Sequence, residues 1–182
     1  PWKALKALSP LLVVGGLLGW NTSRLERLHV GAFGSEWDYG FLDRIGIAAR
    51  ALLHYAWNSL LPIEQIFFYP RYEVGWQAVS NLLAVAAVVA IAGAAIWLVR
   101  KGHRGVFACL GIFVGSAFPA LGFLNVYPHR FSFVADHFVY IASAGLICLI
   151  WSSYLWLATR ILQRWFDEKY LWIPVVIVIG LY

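Results

Sequence analysis

Two short segments of this sequence each place an arginine just beyond a tyrosine and a proline. They are Tyr69–Arg71 and Tyr127–Arg130, the second with His129 before its arginine. The proline fixes the backbone beside a tyrosine that favours the headgroup level of a bilayer, so the arginine beyond it has little freedom. A guanidinium group suits bidentate recognition of phosphate. Arg71 and Arg130 facing one cavity would therefore form a site for a lipid phosphate or diphosphate.

The same two arginines also have a purely structural explanation. Each could contact the headgroups of bulk phospholipid, or pair with the nearby acids Glu73 and Asp136. Residue spacing does not choose between a substrate site and such contacts, so both interpretations stay open.

Asp136 and His137 directly follow the second segment. The aspartate fits the N-cap of a following helix, where the helix dipole favours a carboxylate. A histidine titrates near neutral pH, and at the mouth of a helix bundle it is a candidate acid, base or ligand. We interpret His29, His54 and His103 as interfacial packing, the last within a basic turn.

Other familiar catalytic motifs are missing from the sequence. It has no Gly-rich phosphate loop, no serine nucleophile elbow and no His-x-x-x-His zinc pair. Cys109 and Cys148 each lie inside an apolar run, which gives neither a disulfide framework nor a metal-type spacing. We therefore predict no metal site and no cofactor in this chain. A divalent metal, if the reaction uses one, would be bound elsewhere in the full protein.

The elements that must position these residues are membrane helices. The chain has 182 residues, of which 62% are hydrophobic and 13% charged, whereas a soluble domain is about 25% charged. Too little polar surface remains for nucleic-acid binding, despite the net charge of +5. We predict an all-α, polytopic transmembrane helix bundle. The sequence has no Met and ends in an apolar run, so we expect it to be an internal fragment of a longer protein.

Apolar runs of bilayer-spanning length predict about five membrane spans. They lie near residues 4–20, 77–99, 105–124, 137–158 and 171–182, with outward loops at 21–76 and 125–136. Two ridges of small residues suit close helix packing; they are Ala86, Ala90 and Ala94 in one span, and Gly111 and Gly115 in the next.

The orientation follows from the basic residues, which accumulate in cytoplasmic loops. The turn at Arg100, Lys101 and Arg104 and the segment with Arg160, Arg164 and Lys169 are assigned to the cytoplasm, together with Lys3 and Lys6. On this topology the net charge is +6 inside and −1 outside, and every lysine is inside. The outward arginines are then the ones to suspect of function.

Residues 41–61 are apolar but carry a polar stripe of Asp43, Arg50, His54 and Asn58 on one helical face. The segment is either a span with a polar inner seam or an amphipathic helix in the outer interface. We favour the interfacial helix, because it keeps Lys3 and Lys6 on the cytoplasmic side. The predicted fold is thus about five spans plus an outer-face amphipathic helix, in one transmembrane region covering residues 1–182.

Several runs resemble a known family. They are Phe118–Phe123, Asn125–Pro128, Arg130–Phe138, Tyr140–Ser143 with Gly145 and Leu146, His29–Asp38 and Tyr69–Tyr72, and the most specific is the Val-Ala-Asp-His-Phe run ending at Phe138. The sequence resembles the late transmembrane region of bacterial multi-pass proteins that carry C-terminal tetratricopeptide repeats. Those proteins are similar to the eukaryotic transmembrane-and-TPR O-mannosyltransferases of the GT-C glycosyltransferase superfamily.

The resemblance implies an enzyme of the bacterial inner membrane that moves a sugar from a polyprenyl-phosphate carrier to an acceptor on the outer, periplasmic face. The partners implied are membrane lipid, the polyprenyl-phosphate sugar and a protein acceptor. The family's presumed catalytic acids lie in an earlier outward loop, so no catalytic residue is assigned here. The residues proposed for contact with the lipid phosphate or the acceptor are Tyr69, Arg71, Tyr127, Arg130, Asp136, His137 and Tyr140.

A non-catalytic membrane scaffold or assembly subunit is the main alternative. The small-residue ridges support it, because close helix packing needs no substrate. A transporter is disfavoured, because the uncharged spans 77–99 and 105–124 offer no polar pathway.

Overall fold

The computed structural model describes residues 2–31, 34–63, 65–75 and 77–162, and in this part the chain is helical and contains no strand. The predicted all-α class is confirmed. The α-helices are α1 (Trp2–Leu25), α2 (Phe41–Leu60), α3 (Val79–Arg100), α4 (Arg104–Ala117) and α5 (Tyr140–Leu162).

Among the residues that the structure describes, two helical segments are long and apolar enough to cross a membrane. They are Val79–Arg100, with a mean hydropathy of 2.7, and Asp136–Ala158, with a mean hydropathy of 1.8. Both coincide closely with predicted spans, since a run of Ala, Val, Leu and Ile without charge favours an uninterrupted helix in lipid. Their composition supports a membrane protein.

The predicted span at 105–124 is too long. α4 ends at Ala117 and continues as a single 3₁₀ turn, Phe118–Ala120, before the chain bends. Pro119 lies in that turn, and proline lacks an N–H and clashes with the preceding helical turn. The remaining apolar residues up to 124 therefore belong to a connecting segment.

Two predicted spans, at 4–20 and 171–182, remain. Residues 4–20 lie within α1, which continues into a π-helical turn, Glu26–Val30. The predicted span at 171–182 lies outside the described residues, as do the cytoplasmic anchors Arg164 and Lys169.

The core lies where α2, α4 and α5 meet. Tyr55 and Ala51 of α2 and Ala142 of α5 are fully buried, and they pack with Phe113 and Ala117 of α4. Small side chains let these helices approach closely. A Cβ at Gly145 would lie 2.4 Å from the Cys109 carbonyl oxygen, so the contact between α4 and α5 requires glycine there.

The small-residue ridges chosen from the sequence do not make the packing contacts within the described chain. Ala86, Ala90 and Ala94 are exposed, and a Cβ at Gly111 or Gly115 would meet nothing within 4 Å. Four-residue spacing identifies a smooth face, but it does not say which face of a helix turns inward.

Most of the polar stripe on α2 faces other elements of the chain. Arg50 bonds to the start of α3, and Asn58 bonds to Asp136 ahead of α5. Asp43 does not join them, because its carboxylate accepts the Gly40 backbone N–H at 3.2 Å and caps the start of α2. α2 thus carries its half-buried polar groups towards the ends of two other helices.

Candidate functional site

Asp136 is the centre of a polar cluster between α2 and the start of α5. Its carboxylate accepts the Tyr69 hydroxyl at 2.7 Å on Oδ2 and the Asn58 amide at 3.0 Å on Oδ1. Asn58 also reaches the Tyr69 hydroxyl at 3.2 Å. Both donors are neutral, so the carboxylate is held in place without being neutralised by them.

His54 completes this cluster, one helical turn before Asn58. Its Nε2 lies 3.9 Å from Asp136 Oδ1 and 3.2 Å from the Asn58 amide nitrogen. Its ring meets the Tyr69 ring edge-on, with centroids 4.5 Å apart. Burial lowers the pKa of His54, and the neighbouring Asp136 charge opposes that shift. The imidazole is therefore neutral at neutral pH and able to accept a proton.

The cluster stays partly open to its surroundings. The side chains of His54 and Asp136 keep 24% and 20% of their exposure. Burial and the hydrogen bond to Asp136 both raise the pKa of Tyr69, so its phenol stays protonated and donates to the carboxylate. A carboxylate, a neutral imidazole and a phenol in one half-open position can bind hydroxyl groups or exchange a proton with one.

Neighbouring contacts lock the backbone on both sides of the cluster. The Tyr69 N–H donates to Ser132 Oγ at 3.2 Å, and that hydroxyl donates to the Val134 carbonyl at 2.6 Å. The buried Tyr55 hydroxyl accepts the Ala135 N–H at 3.3 Å, and burial raises the pKa of Tyr55 to about 12. The loop before α3 and the loop before α5 therefore form one unit.

Arg44 of α2 ties the segment before α2 to the loop before α5. Its guanidinium donates to the Trp37 carbonyl at 2.9 Å, the Gly122 carbonyl at 2.7 Å and Asn125 Oδ1 at 2.8 Å. A Cβ at Gly122 would lie 2.7 Å from the Ile47 side chain, and its φ of 88° also favours glycine. Arg44 was not among the predicted site residues, because nothing in its local sequence marks Gly122 or Asn125 as partners.

Arg71 and Arg130 lie next to each other. The Arg71 guanidinium donates to the Arg130 carbonyl oxygen at 3.4 Å and to the Tyr39 hydroxyl, and it lies 4.7 Å from the Phe133 ring centroid. The Arg130 side chain is exposed. The two Tyr-Pro segments thus touch at the Arg130 backbone carbonyl.

His129, within the second Tyr-Pro segment, is buried with 4% of its surface exposed. Its ring hydrogen bonds to the Ala120 backbone, and burial lowers its pKa to about 4. Its Nε2 has no hydrogen-bond partner among the described residues. His129 is therefore a neutral core histidine.

Besides Arg71 and Arg130, three predicted binding residues lie outside the Asp136 cluster. Tyr127 packs on Phe131, and its backbone N–H donates to Glu26 Oε2 at 3.1 Å. His137 is exposed and lies against the ring of its neighbour Phe138. Tyr140 keeps 74% of its exposure. A 3₁₀ turn at Asp136–Val139 precedes α5, so consecutive side chains here diverge by about 120°.

The expected role of Asp136 as an N-cap is wrong. Ala135 precedes the 3₁₀ turn, with no capping side-chain bond there, and the Asp136 carboxylate crosses to Tyr69 and Asn58. His54, assigned above to interfacial packing, lies at this carboxylate. The four-residue spacing of His54 and Asn58 was a usable signal, but their partner lies 78 residues from Asn58.

Two cavities border helices α1 and α2 in the described part of the chain. A mostly apolar one of about 690 Å³ separates α1 from the segment after α4, with Arg24 and Arg27 on its wall. One of about 520 Å³ lies between α2 and α3.

Within the described ranges, no three His, Cys, Asp or Glu side chains are grouped so that they could hold a metal ion. Comparison with known protein families, curated proteins and solved structures finds no match for this chain.

Proposed function

We propose that this chain is part of an integral-membrane glycosyltransferase that moves a sugar from a polyprenyl-phosphate carrier to an acceptor on the outer, periplasmic face. The observation that supports it is the hydrogen bond between Tyr69 and Asp136. It joins the two loop segments that carry the family resemblance. Arg71 and Arg130 lie on the same pair of loops.

The membrane arrangement is part of this proposal. We place about five spans in the bacterial inner membrane, with residues 41–61 along the outer interface and the loops 21–76 and 125–136 outward. The basic turn between α3 and α4 marks the cytoplasmic end. It follows the last residue of α3, whereas the Asp136 cluster lies near the first residue of α5.

The chemistry divides between this chain and the rest of the protein. An inverting transfer needs a carboxylate base on the acceptor hydroxyl and positive charge at the departing lipid phosphate. We assign the second role to Arg71 and Arg130, with Tyr69 and Asp136 contacting the carrier or the acceptor. The catalytic base is left to an earlier outward loop.

The test is transfer from a defined polyprenyl-phosphate sugar by the full-length protein in membranes. Arg71→Ala and Arg130→Ala should each abolish turnover, because the charge at the leaving phosphate is lost. Arg71→Lys keeps a charge and should retain part of the rate. Arg104→Ala, on the basic turn, is the matched control and should leave turnover unchanged. Unchanged turnover in both Arg71→Ala and Arg130→Ala would reject the assignment.

A non-catalytic membrane scaffold is the second candidate. The exposed ridge of Ala86, Ala90 and Ala94 supports it, because small residues on an unpacked helix face allow another helix to approach closely. A full-length protein that transfers no sugar in any tested membrane would favour this reading.

A further inference from the structure

The cavity between α2 and α3 contains polar groups that the proposed transfer does not use. Its volume is about 520 Å³, and its lining is Arg50, Leu53, His54, Tyr72, Ser80, Leu83, Ala84 and Ala87. Its polar groups are the Arg50 guanidinium, the His54 imidazole and the Ser80 and Tyr72 hydroxyls. Leu83 and Ala87 extend the lining along α3 with apolar side chains.

Arg50 is held rigidly beside this cavity. Its guanidinium carbon lies 3.9 Å from the centroid of the Tyr72 ring, and Nη1 donates to Ser80 Oγ at 3.1 Å. The Tyr72 hydroxyl is itself fixed by donating to the Ile47 carbonyl at 3.1 Å. The arginine is thus preorganised before any ligand binds.

The charge of Arg50 has no carboxylate partner in the described part of the chain. The acid–base contact found there joins the neutral His54 imidazole and Asp136, with Nε2 and Oδ1 3.9 Å apart. The hydrogen bonds of Arg50 in these ranges run from Nη1 to Ser80 and Asn81, so Nε and Nη2 keep their donors unused. A half-buried guanidinium with unused donors and no counter-charge favours an anion beside it.

The other walls of the cavity favour an anion as well. Ser80 is the second residue of α3, a helix of 22 residues whose N-terminus carries partial positive charge. His54 lines the cavity and also touches the Asp136 cluster, so its ring connects the two places. A guanidinium, a hydroxyl and an imidazole from two helices can surround one tetrahedral group.

We propose that this cavity binds a phosphate group, with Arg50 as its main ligand and with Ser80 and His54 as further donors. The apolar wall of Leu83 and Ala87 belongs to a helix that can cross a membrane, so an alkyl chain attached to the phosphate would follow α3 into lipid. The phosphate can come from a lipid headgroup or from free phosphate. Binding is measured without sugar donor or acceptor, so this inference and the transferase proposal fail separately.

The experiment uses the full-length protein in phosphatidylcholine nanodiscs. One arm titrates inorganic phosphate by calorimetry, and the other adds phosphatidic acid and counts retained lipid by native mass spectrometry. Arg50→Gln should weaken binding about tenfold or more, since a charge-assisted hydrogen bond is lost. Ser80→Ala should weaken it less. Saturation in the first arm identifies a free-anion site, and retention in the second alone identifies a lipid site.

Two further variants separate specific binding from effects on folding and from non-specific attraction of anions to any arginine. Leu83→Trp should fill the cavity without changing charge, and Leu83 is 65% exposed, so the fold tolerates the change. It should lower binding as Arg50→Gln does. Arg24→Gln removes an arginine from the other cavity and should leave binding unchanged. The proposal is overturned by wild-type protein that binds neither probe, by Arg50→Gln and Leu83→Trp binding normally, or by an equal loss in Arg24→Gln.

Discussion

Arg44 and Arg50 lie six residues apart on α2, yet they use their guanidinium groups in opposite ways. All three guanidinium nitrogens of Arg44 donate hydrogen bonds. Nε donates to the Tyr39 carbonyl, Nη1 to the Gly122 carbonyl, and Nη2 to the Trp37 carbonyl and Asn125 Oδ1. Arg50 bonds through Nη1 and otherwise borders a cavity. A saturated arginine is a structural clamp, whereas an arginine with spare donors is available to a ligand.

The same contrast separates the two polar regions around these arginines. The Arg44 region includes the buried His129, and in it the Arg44 guanidinium holds backbone carbonyls such as that of Gly122 in place. The Asp136 region keeps a carboxylate and an imidazole partly exposed. We therefore expect changes near Arg44 to affect stability first, and changes near Asp136 and Arg50 to affect binding first.

Removing the clamp should have the largest effect on folding. Arg44→Ala leaves the Gly122 and Trp37 carbonyls and the Asn125 amide oxygen without their donor. We expect a loss of roughly 3–5 kcal/mol in the free energy of unfolding, measured by denaturation in detergent micelles. Arg24→Ala, an exposed arginine on α1, should cost little. A small effect of Arg44→Ala would contradict the distinction between Arg44 as a structural clamp and Arg50 as an arginine available to a ligand.

Acid should weaken the Arg44 region through His129. Its pKa in the folded protein is about 4, below the value of about 6.5 in an unfolded chain. As the pH falls below about 6.5, the unfolded chain takes up the proton first, so stability declines by up to about 1.4 kcal/mol per pH unit until the folded pKa is reached. His129→Phe should flatten this decline in unfolding measured against pH. His137→Phe, at an exposed histidine, is the control, and equal slopes in both variants would contradict the prediction.

The smallest change is expected in the Asp136 region. Tyr69→Phe removes the hydroxyl that donates to the carboxylate, and we expect a loss of about 1 kcal/mol in the free energy of unfolding. Tyr140→Phe removes a hydroxyl from a side chain that is 74% exposed, so thermal unfolding should not change. A loss for Tyr69→Phe as large as for Arg44→Ala would mean that the Asp136 region is a structural clamp too.

The two regions also differ in how well the sequence predicted them. Tyr69 and Asp136 were both chosen as candidate residues, because the Tyr-Pro pattern and an acid at a helix start are local signals. The structure then joins their side chains. His54 and Asn58 showed helical spacing but no visible partner. Arg50 lay on the predicted polar stripe and Arg44 did not, but neither pattern showed their distant partners, Asn125 at 81 positions from Arg44 and Ser80 at 30 positions from Arg50.

By itself, the sequence determined the helical class and the two described segments that are long and apolar enough to cross a membrane, because long uncharged apolar runs satisfy their backbone only as helices in lipid. It overextended α4, because the predicted span at 105–124 ran past Pro119, where the helix cannot continue. Only the tertiary structure decided which faces are buried. It left the ridge of Ala86, Ala90 and Ala94 outside, used Gly145 for the close contact, and placed a neutral histidine, a carboxylate and two differently used arginines around α2. Those outcomes depend on contacts between distant parts of the chain, and no local pattern encodes them.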